Sequence, residues 1–117
     1  MVKYEDLADE LYQQIQLTGW PLPEREHRFH KRRKWQIDLA WPAHKIGVEC
    51  EGGIWTKGRH TRGQGFMNDC IKYNTAALMG WAIYRVPGPW IVDRKGQIDG
   101  RALDWVEKIL RQAELID

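Results

Sequence analysis

A predicted β-hairpin occupies residues 35–51, WQIDLAWPAHKIGVECE, and the elements on either side of it complete the fold. Apolar and polar residues alternate in 35–41 and again in 45–51, which is typical of two half-buried strands. A turn centred on 43–44 joins them. Antiparallel pairing about this turn predicts three facing pairs, which are Leu39 with Val48, Ile37 with Cys50, and Asp38 with Glu49.

Three carboxylates of the hairpin, Asp38, Glu49 and Glu51, point away from its apolar face in this pattern. Like charges that face each other destabilise a sheet, so the cluster is best explained by a cation between them. Mg²⁺ binds proteins through one or two carboxylates, with water and substrate phosphate oxygens as further ligands. The pattern therefore favours a divalent metal site, and ordinary surface acids are the alternative.

The remaining sequence predicts six further segments around the hairpin. A helix over 4–17 and a strand over 25–30 precede it, and a glycine-rich loop over 52–65 follows it. The apolar stripe of Phe66, Cys70, Tyr73 and Ala77 predicts a mostly buried helix over 66–79. A parallel strand over 81–86 and a closing helix over 100–115 complete the order αβββαβα. This order predicts a single α/β domain over 1–117, with a mixed four-stranded sheet flanked by helices.

Basic residues are concentrated beside the hairpin, although the net charge of the 117-residue chain is only +2. They indicate a phosphate-backbone partner, with a solvated charge run as the alternative. The candidate nucleic-acid contacts are Arg28, Lys31, Arg32, Arg33, Lys34, Lys57, Arg59 and Arg62. No stretch approaches the roughly 18 apolar residues of a membrane span. With no secretion leader and two unpaired cysteines, we expect a cytoplasmic protein with no membrane partner.

The acidic motif and the segments after it resemble the PD-(D/E)XK nuclease superfamily. The motif is Asp38, ten intervening residues, and Glu49-Cys50-Glu51. The following matches are Gly52-Gly53, His60, NDCIKYN at 68–74, Leu78, Gly80-Trp81 and Tyr84-Arg85-Val86. This run is similar to small bacterial and phage-type nucleases of the Holliday-junction-resolvase-like and very-short-patch-repair-like branches. The resemblance covers nearly the whole chain and implies a restriction-endonuclease-like core that hydrolyses DNA with Mg²⁺, for which Mn²⁺ would substitute.

The resemblance implies that Asp38, Glu49 and the backbone carbonyl of Cys50 bind the metal, while the Cys50 thiol faces the core. Position 51 is most often a catalytic lysine in the family, but here it is Glu51, which would either bind metal or abolish activity. Three more candidates have a surface role as the alternative. They are Lys72 as a substitute for that lysine, His60 as a general base or phosphate contact, and Glu10 as a further metal ligand.

The sequence therefore predicts a metal-dependent DNA endonuclease. One alternative is a structure-specific nuclease like the junction resolvases, in which a homodimer would cut two strands symmetrically. Another is a catalytically inactive nucleic-acid-binding module that has lost activity through Glu51. A structural or interaction protein with solvated charges is the third. Asp69, one helical step before Lys72, could form a purely structural salt bridge with Lys72 or with Arg62.

Overall fold

A computed structural model describes residues 6–52 and 59–117, and for 59–62 only the backbone is described. The elements are α1 (Leu7–Thr18), β1 (Glu24–Arg28), β2 (Gln36–Trp41), β3 (Ile46–Glu51), α2 (Arg59–Leu78), β4 (Ala82–Pro87) and α3 (Arg101–Gln112). The predicted order αβββαβα is confirmed. None of the helices in the described ranges combines the length and the apolarity needed to span a lipid bilayer.

The four strands form one mixed sheet in the order β1-β2-β3-β4. The first three are antiparallel neighbours, and β4 returns through α2 to lie parallel to β3. The predicted turn is a short 3-10 segment, Pro42–His44, which ends at Lys45 with a left-handed backbone. The pair Leu39↔Val48 is confirmed, so the alternating pattern predicts the register of the hairpin correctly near its turn.

Helices cover both faces of the sheet. Helices α1 and α3 pack on one face, where Leu39, Trp41 and Val48 join the larger core cluster. Helix α2 lies over the other face, where Ala76 packs in a smaller cluster with residues of β2. Helix α2 therefore covers the face of the hairpin that carries the carboxylates. Any site on that face lies at the edge of the smaller core cluster.

Ile37 departs from the predicted alternation. It belongs with Ala40 to the smaller cluster, whereas Leu39 belongs to the larger one, so the expected single apolar face is wrong at Ile37. The change falls between the pairs Arg25↔Leu39 and His27↔Ile37. Glu26, which lies between those two β1 residues, has a left-handed backbone with φ of 50°. The change of face at Ile37 therefore coincides with a break in the pairing of β1 with β2 at Glu26.

Helix α2 differs most from the prediction. It begins at Arg59, so residues 59–65 are helical although their glycines predicted a loop. It is also largely exposed: Phe66 is 66 % exposed, and Met67, Ile71 and Leu78 are exposed as well. The predicted burial of this helix is wrong because the sheet face beneath it carries carboxylates. The residues that turn toward that face are therefore mostly polar.

Gly47 in β3 marks a close approach between two strands. A Cβ added there would lie 2.6 Å from Cγ2 of Ile37. Any side chain at this position would collide with the Ile37 side chain, which is fully buried and has no space to retreat. The absence of a side chain at Gly47 therefore leaves room for Ile37 to pack over β3.

Candidate active site

The carboxylates of Asp38 and Glu49 lie where the ladder between β2 and β3 ends. Backbone pairing runs from Trp41↔Ile46 to Leu39↔Val48. Beyond it, the Asp38 N–H donates to Oε2 of Glu49 at 2.9 Å, and the Cys50 N–H donates to Oδ2 of Asp38 at 2.8 Å. Side-chain carboxylates thus take the place of the backbone carbonyls that would continue the ladder. The predicted proximity of Asp38 and Glu49 is confirmed, but it is reached by these side-chain bonds and not by regular strand pairing.

Proton binding at Asp38 is strongly altered by this arrangement. Burial, the negative charge of Glu49 and a hydrogen bond with its carboxylate together raise the pKa of the Asp38 carboxyl from 3.8 to about 7. The Cys50 N–H and the Lys72 ammonium act in the opposite direction. The two acids therefore behave as a pair that favours one bound positive charge between them.

Lys72 and Tyr73 reach the same carboxylate from helix α2. The Lys72 Nζ lies 2.6 Å from Oε1 of Glu49, and the Tyr73 hydroxyl donates to that oxygen at 2.7 Å. The Lys72 and Glu49 side chains are 16 % and 6 % exposed, so this is a largely buried ion pair. With Ala76, Lys72 and Tyr73 follow the one-turn spacing of a single helix face, which turns them toward the sheet. Lys72 pairs with Glu49, so the predicted alternative of a salt bridge between Lys72 and Asp69 is wrong, while the alternative partner Arg62 has its side chain outside the described part.

Glu51 is matched by a cation from the neighbouring strand. The parallel register places Arg85 of β4 beside Glu49, and the Arg85 Nε donates to Oε1 of Glu51 at 2.5 Å. The guanidinium carbon also lies 4.8 Å from the centroid of the Tyr73 ring. Arg85 therefore neutralises the charge of Glu51.

Two further groups at the site are held in their neutral forms. Burial and the charges of the surrounding carboxylates raise the pKa of the Cys50 thiol. Cys50 packs against the larger core cluster, as predicted. Burial and the charge of Glu49 also raise the pKa of the Tyr73 hydroxyl, so Tyr73 acts as a hydrogen-bond donor to that carboxylate. Both cysteines of the chain are free thiols.

The other predicted site residues fall into three groups. Glu10 is half-buried on α1, and none of the described hydrogen bonds or ion pairs joins it to Asp38 or Glu49. Lys57 lies outside the described residues. Arg59, His60 and Arg62 fall at the start of α2, and their side chains are likewise outside the described part. The basic candidates before β2 are all exposed, and they are Arg28, Lys31, Arg32, Arg33 and Lys34.

The sequence pattern misses two residues of the site. Tyr73 is assigned to an apolar stripe, whereas its hydroxyl bonds the central carboxylate. Arg85 is named in the sequence only as part of a motif. In the structure, the parallel pairing of β4 with β3 places Arg85 beside Glu49. Among the side chains that the structure describes, no group of three or more histidines, cysteines and acids is arranged to hold a metal ion.

Comparison of the chain with protein-family models, with curated proteins and with solved structures finds no match. The interpretation of the site therefore depends on its own geometry and on the motif resemblance of the sequence.

Proposed function

We propose that this chain is a Mg²⁺-dependent DNA endonuclease with a restriction-endonuclease-like core. The observation that carries the proposal is the meeting of Asp38 and Glu49 at the end of a strand ladder, with Lys72 inserted from the facing helix. Two acids and a lysine in one partly buried cluster form the set of groups that metal-assisted phosphodiester hydrolysis requires. An exposed basic turn immediately before β2 supports DNA as the substrate.

The donor atoms at the site suit Mg²⁺ or Mn²⁺. Asp38 and Glu49 offer hard carboxylate oxygens, and the Cys50 carbonyl is the third oxygen that the family pattern would use. The raised pKa of the Cys50 thiol keeps it protonated and so disfavours a thiolate-bound metal. The raised pKa of Asp38 indicates a site where one more positive charge is favourable. When bound, the ion would polarise the phosphodiester and make water more acidic.

The side chains around the carboxylates would each have a separate role in the reaction. Lys72 would hold the attacking water and stabilise negative charge on the phosphate, replacing the lysine that is absent at position 51. Tyr73 would fix the orientation of Glu49 through its hydrogen bond to Oε1. Arg85 would keep the charge of Glu51 from adding to that of the two ligands. The basic turn would position the DNA backbone without reading its sequence.

A nucleic-acid-binding module without catalysis is the second candidate. It is favoured by the direct contact of Lys72 with Glu49, since that ion pair already occupies Oε1 of a proposed metal ligand. On this alternative the basic turn would still bind DNA, and the acids would serve only to anchor α2 to the sheet.

Cleavage of supercoiled plasmid separates the two candidates. We expect nicking by the wild-type chain with Mg²⁺ or Mn²⁺ and none with a chelator. Asp38→Asn and Lys72→Met should each lower the rate by about 10²-fold or more. Asp104→Asn and Lys108→Met are matched controls on the exposed face of α3, and they should cleave at the wild-type rate.

Metal binding measured by calorimetry gives a readout that does not depend on turnover. Mn²⁺ should bind the wild-type chain and Asp104→Asn, and binding should be lost in Asp38→Asn. A folded wild-type protein that binds DNA but cleaves it with neither metal would refute the endonuclease and leave the binding module. Cleavage that persists unchanged in Asp38→Asn would show that the carboxylate pair is not the active site.

A further inference from the structure

A pocket of about 260 Å³ lies between the turn that precedes β2 and the outer side of helix α2. Its lining residues are Arg33, Trp35, Asn68 and Ile71. Trp35 is three residues before Asp38, a distance of about 10 Å along an extended chain. Ile71 is the direct neighbour of Lys72 on α2. The two segments that form this pocket therefore also carry the acid and the lysine of the candidate active site.

The chemistry of the lining suits a flat, neutral, polar ring. The Arg33 guanidinium carbon lies 4.8 Å from the centroid of the Trp35 indole, so a planar cation is layered on an aromatic ring. Ile71 contributes an apolar wall that is 50 % exposed to solvent. Asn68 contributes an amide that can donate and accept hydrogen bonds, and its oxygen accepts one from Gln64 at 3.1 Å. No carboxylate lines the pocket, so an anionic backbone can pass beside it.

The turn that carries Arg33 is held in place by its own contacts. Nδ1 of His30 accepts hydrogen bonds from the backbone N–H groups of Arg32 and Arg33 at 3.1 and 3.0 Å. The rings of Phe29 and His30 pack against Trp35, with centroid distances of 6.0 and 5.4 Å. The guanidinium and the indole are thus presented by a fixed turn, which limits the ordering that binding requires.

We propose that this pocket binds one unpaired nucleobase of the substrate strand, adjacent to the phosphate that the Asp38 and Glu49 pair would cleave. This inference rests on the proposed nuclease function and names its substrate class, which is DNA with an unpaired nucleotide at a bulge. An unpaired base can stack on a guanidinium or aromatic plane and bond through its exposed edge. The pocket is smaller than the roughly 300–1,000 Å³ of drug-sized sites, which fits one planar ring system.

A base explains the lining better than a phosphate does. A phosphate group would use Arg33 alone and would leave the amide of Asn68 and the apolar wall of Ile71 without a role. A regular duplex keeps its bases stacked inside the helix, so it presents only phosphates and groove edges to this surface. The pocket therefore predicts a preference between DNA structures and not between sequences.

Equilibrium binding to three DNAs of equal length tests the proposal, with a chelator present so that no cleavage occurs. The first is fully paired, the second has one bulged 2-aminopurine, and the third has an abasic residue at the same bulge. We expect the 2-aminopurine bulge to bind about tenfold more tightly than either of the others. Its fluorescence should also fall on binding, because the base becomes stacked.

Two asparagines on α2 provide the matched variants. Asn68→Ala should reduce the preference for the bulged base to about twofold and leave binding of paired DNA unchanged. Asn74→Ala removes an exposed amide outside the pocket lining, and it should keep the full preference. Equal binding of the abasic and the 2-aminopurine bulges would overturn the proposal, because flexible DNA alone would then explain the affinity. A preference that survives Asn68→Ala would overturn it as well.

The same DNAs with Mg²⁺ separate this proposal from the function on which it rests. Cleavage without any preference for the bulged base would refute the pocket and leave the nuclease intact. A preference for the base in a protein that cleaves none of the three DNAs would support the pocket and refute the nuclease. Failure to bind any of these DNAs would refute both.

Discussion

Loss of the ion pair between Lys72 and Glu49 should lower the free energy of unfolding substantially. Lys72→Met keeps most of the aliphatic stem and removes the ammonium group that lies 2.6 Å from the Glu49 carboxylate. Because the Glu49 side chain is only 6 % exposed, water cannot replace the lost partner fully. The variant therefore leaves a buried negative charge beside Asp38, which is the costly half of a broken ion pair.

The size of the effect follows from the partners that Glu49 retains. Removing one member of a buried ion pair costs about 3–5 kcal/mol when the other is left without compensation. Here the carboxylate still accepts hydrogen bonds from the Tyr73 hydroxyl and the Asp38 N–H, so we expect a loss nearer 2–3 kcal/mol. For a domain of this size that loss lowers the melting temperature by about 10 °C.

A double-mutant cycle measured by urea unfolding isolates the pairwise contribution. The four proteins are the wild type, Lys72→Met, Glu49→Gln and the double variant. We expect a coupling free energy of about 1–2 kcal/mol, with the double variant more stable than the two single losses together predict. Lys108→Met, on exposed α3, controls for the loss of a lysine as such. A coupling below about 0.5 kcal/mol would refute the inferred pairing and the catalytic position of Lys72 that depends on it.

Three further predictions concern pH, packing and the second ion pair. The pKa of Asp38 is raised from 3.8 to about 7, so its proton stabilises the folded state below pH 3.8 and that stabilisation is lost as the pH rises through 7. As the pH rises from 5 to 8, the free energy of unfolding measured with urea should fall by about 1–2 kcal/mol more in the wild type than in Asp38→Asn. Equal pH profiles of the free energy of unfolding in the two proteins would contradict this. Thermal melts should show that Gly47→Ala lowers the free energy of unfolding by about 1–3 kcal/mol, because the new Cβ would lie 2.6 Å from Cγ2 of Ile37. Gly65→Ala should instead stabilise α2, because its Cβ would lie in open space. Arg85→Met should cost less than about 1 kcal/mol because its ion pair with Glu51 is half exposed, and calorimetry should show tighter Mn²⁺ binding through the added negative charge.

The hairpin is the part of the fold that the sequence predicts best, because strict alternation determines both the faces and the register of two neighbouring strands. The pair Leu39↔Val48 is correct for this reason. The pattern fails at Asp38, where side-chain oxygens compete with backbone carbonyls for the N–H groups of the next strand. Alternation carries no information about such competition, so the end of the ladder and the reversed face of Ile37 could not be predicted.

Helix α2 is the least predictable element, and both errors have a tertiary cause. Gly63 and Gly65 favour a loop locally, at about 1 kcal/mol each relative to alanine, yet they lie in open space within a 20-residue helix. The orientation of the helix is set by the carboxylates beneath it. Those acids attract Lys72 and Tyr73, so the helix turns its polar residues inward and leaves Phe66 exposed. A pattern that equates burial with apolarity therefore places Phe66 on the buried face and leaves Lys72 off it.

The acid at position 51 and the two cations Lys72 and Arg85 are connected by the charge balance of the site. Asp38, Glu49 and Glu51 bring three negative charges to one region, and Lys72 and Arg85 return two positive ones. The remaining negative charge is balanced by a proton below pH 7, as the raised pKa of Asp38 indicates. A lysine at position 51 would have made the cluster positive and would have left Arg85 without its partner. Glu51 is therefore balanced by Arg85, and Lys72 supplies from the helix the positive charge that a lysine at position 51 would have brought.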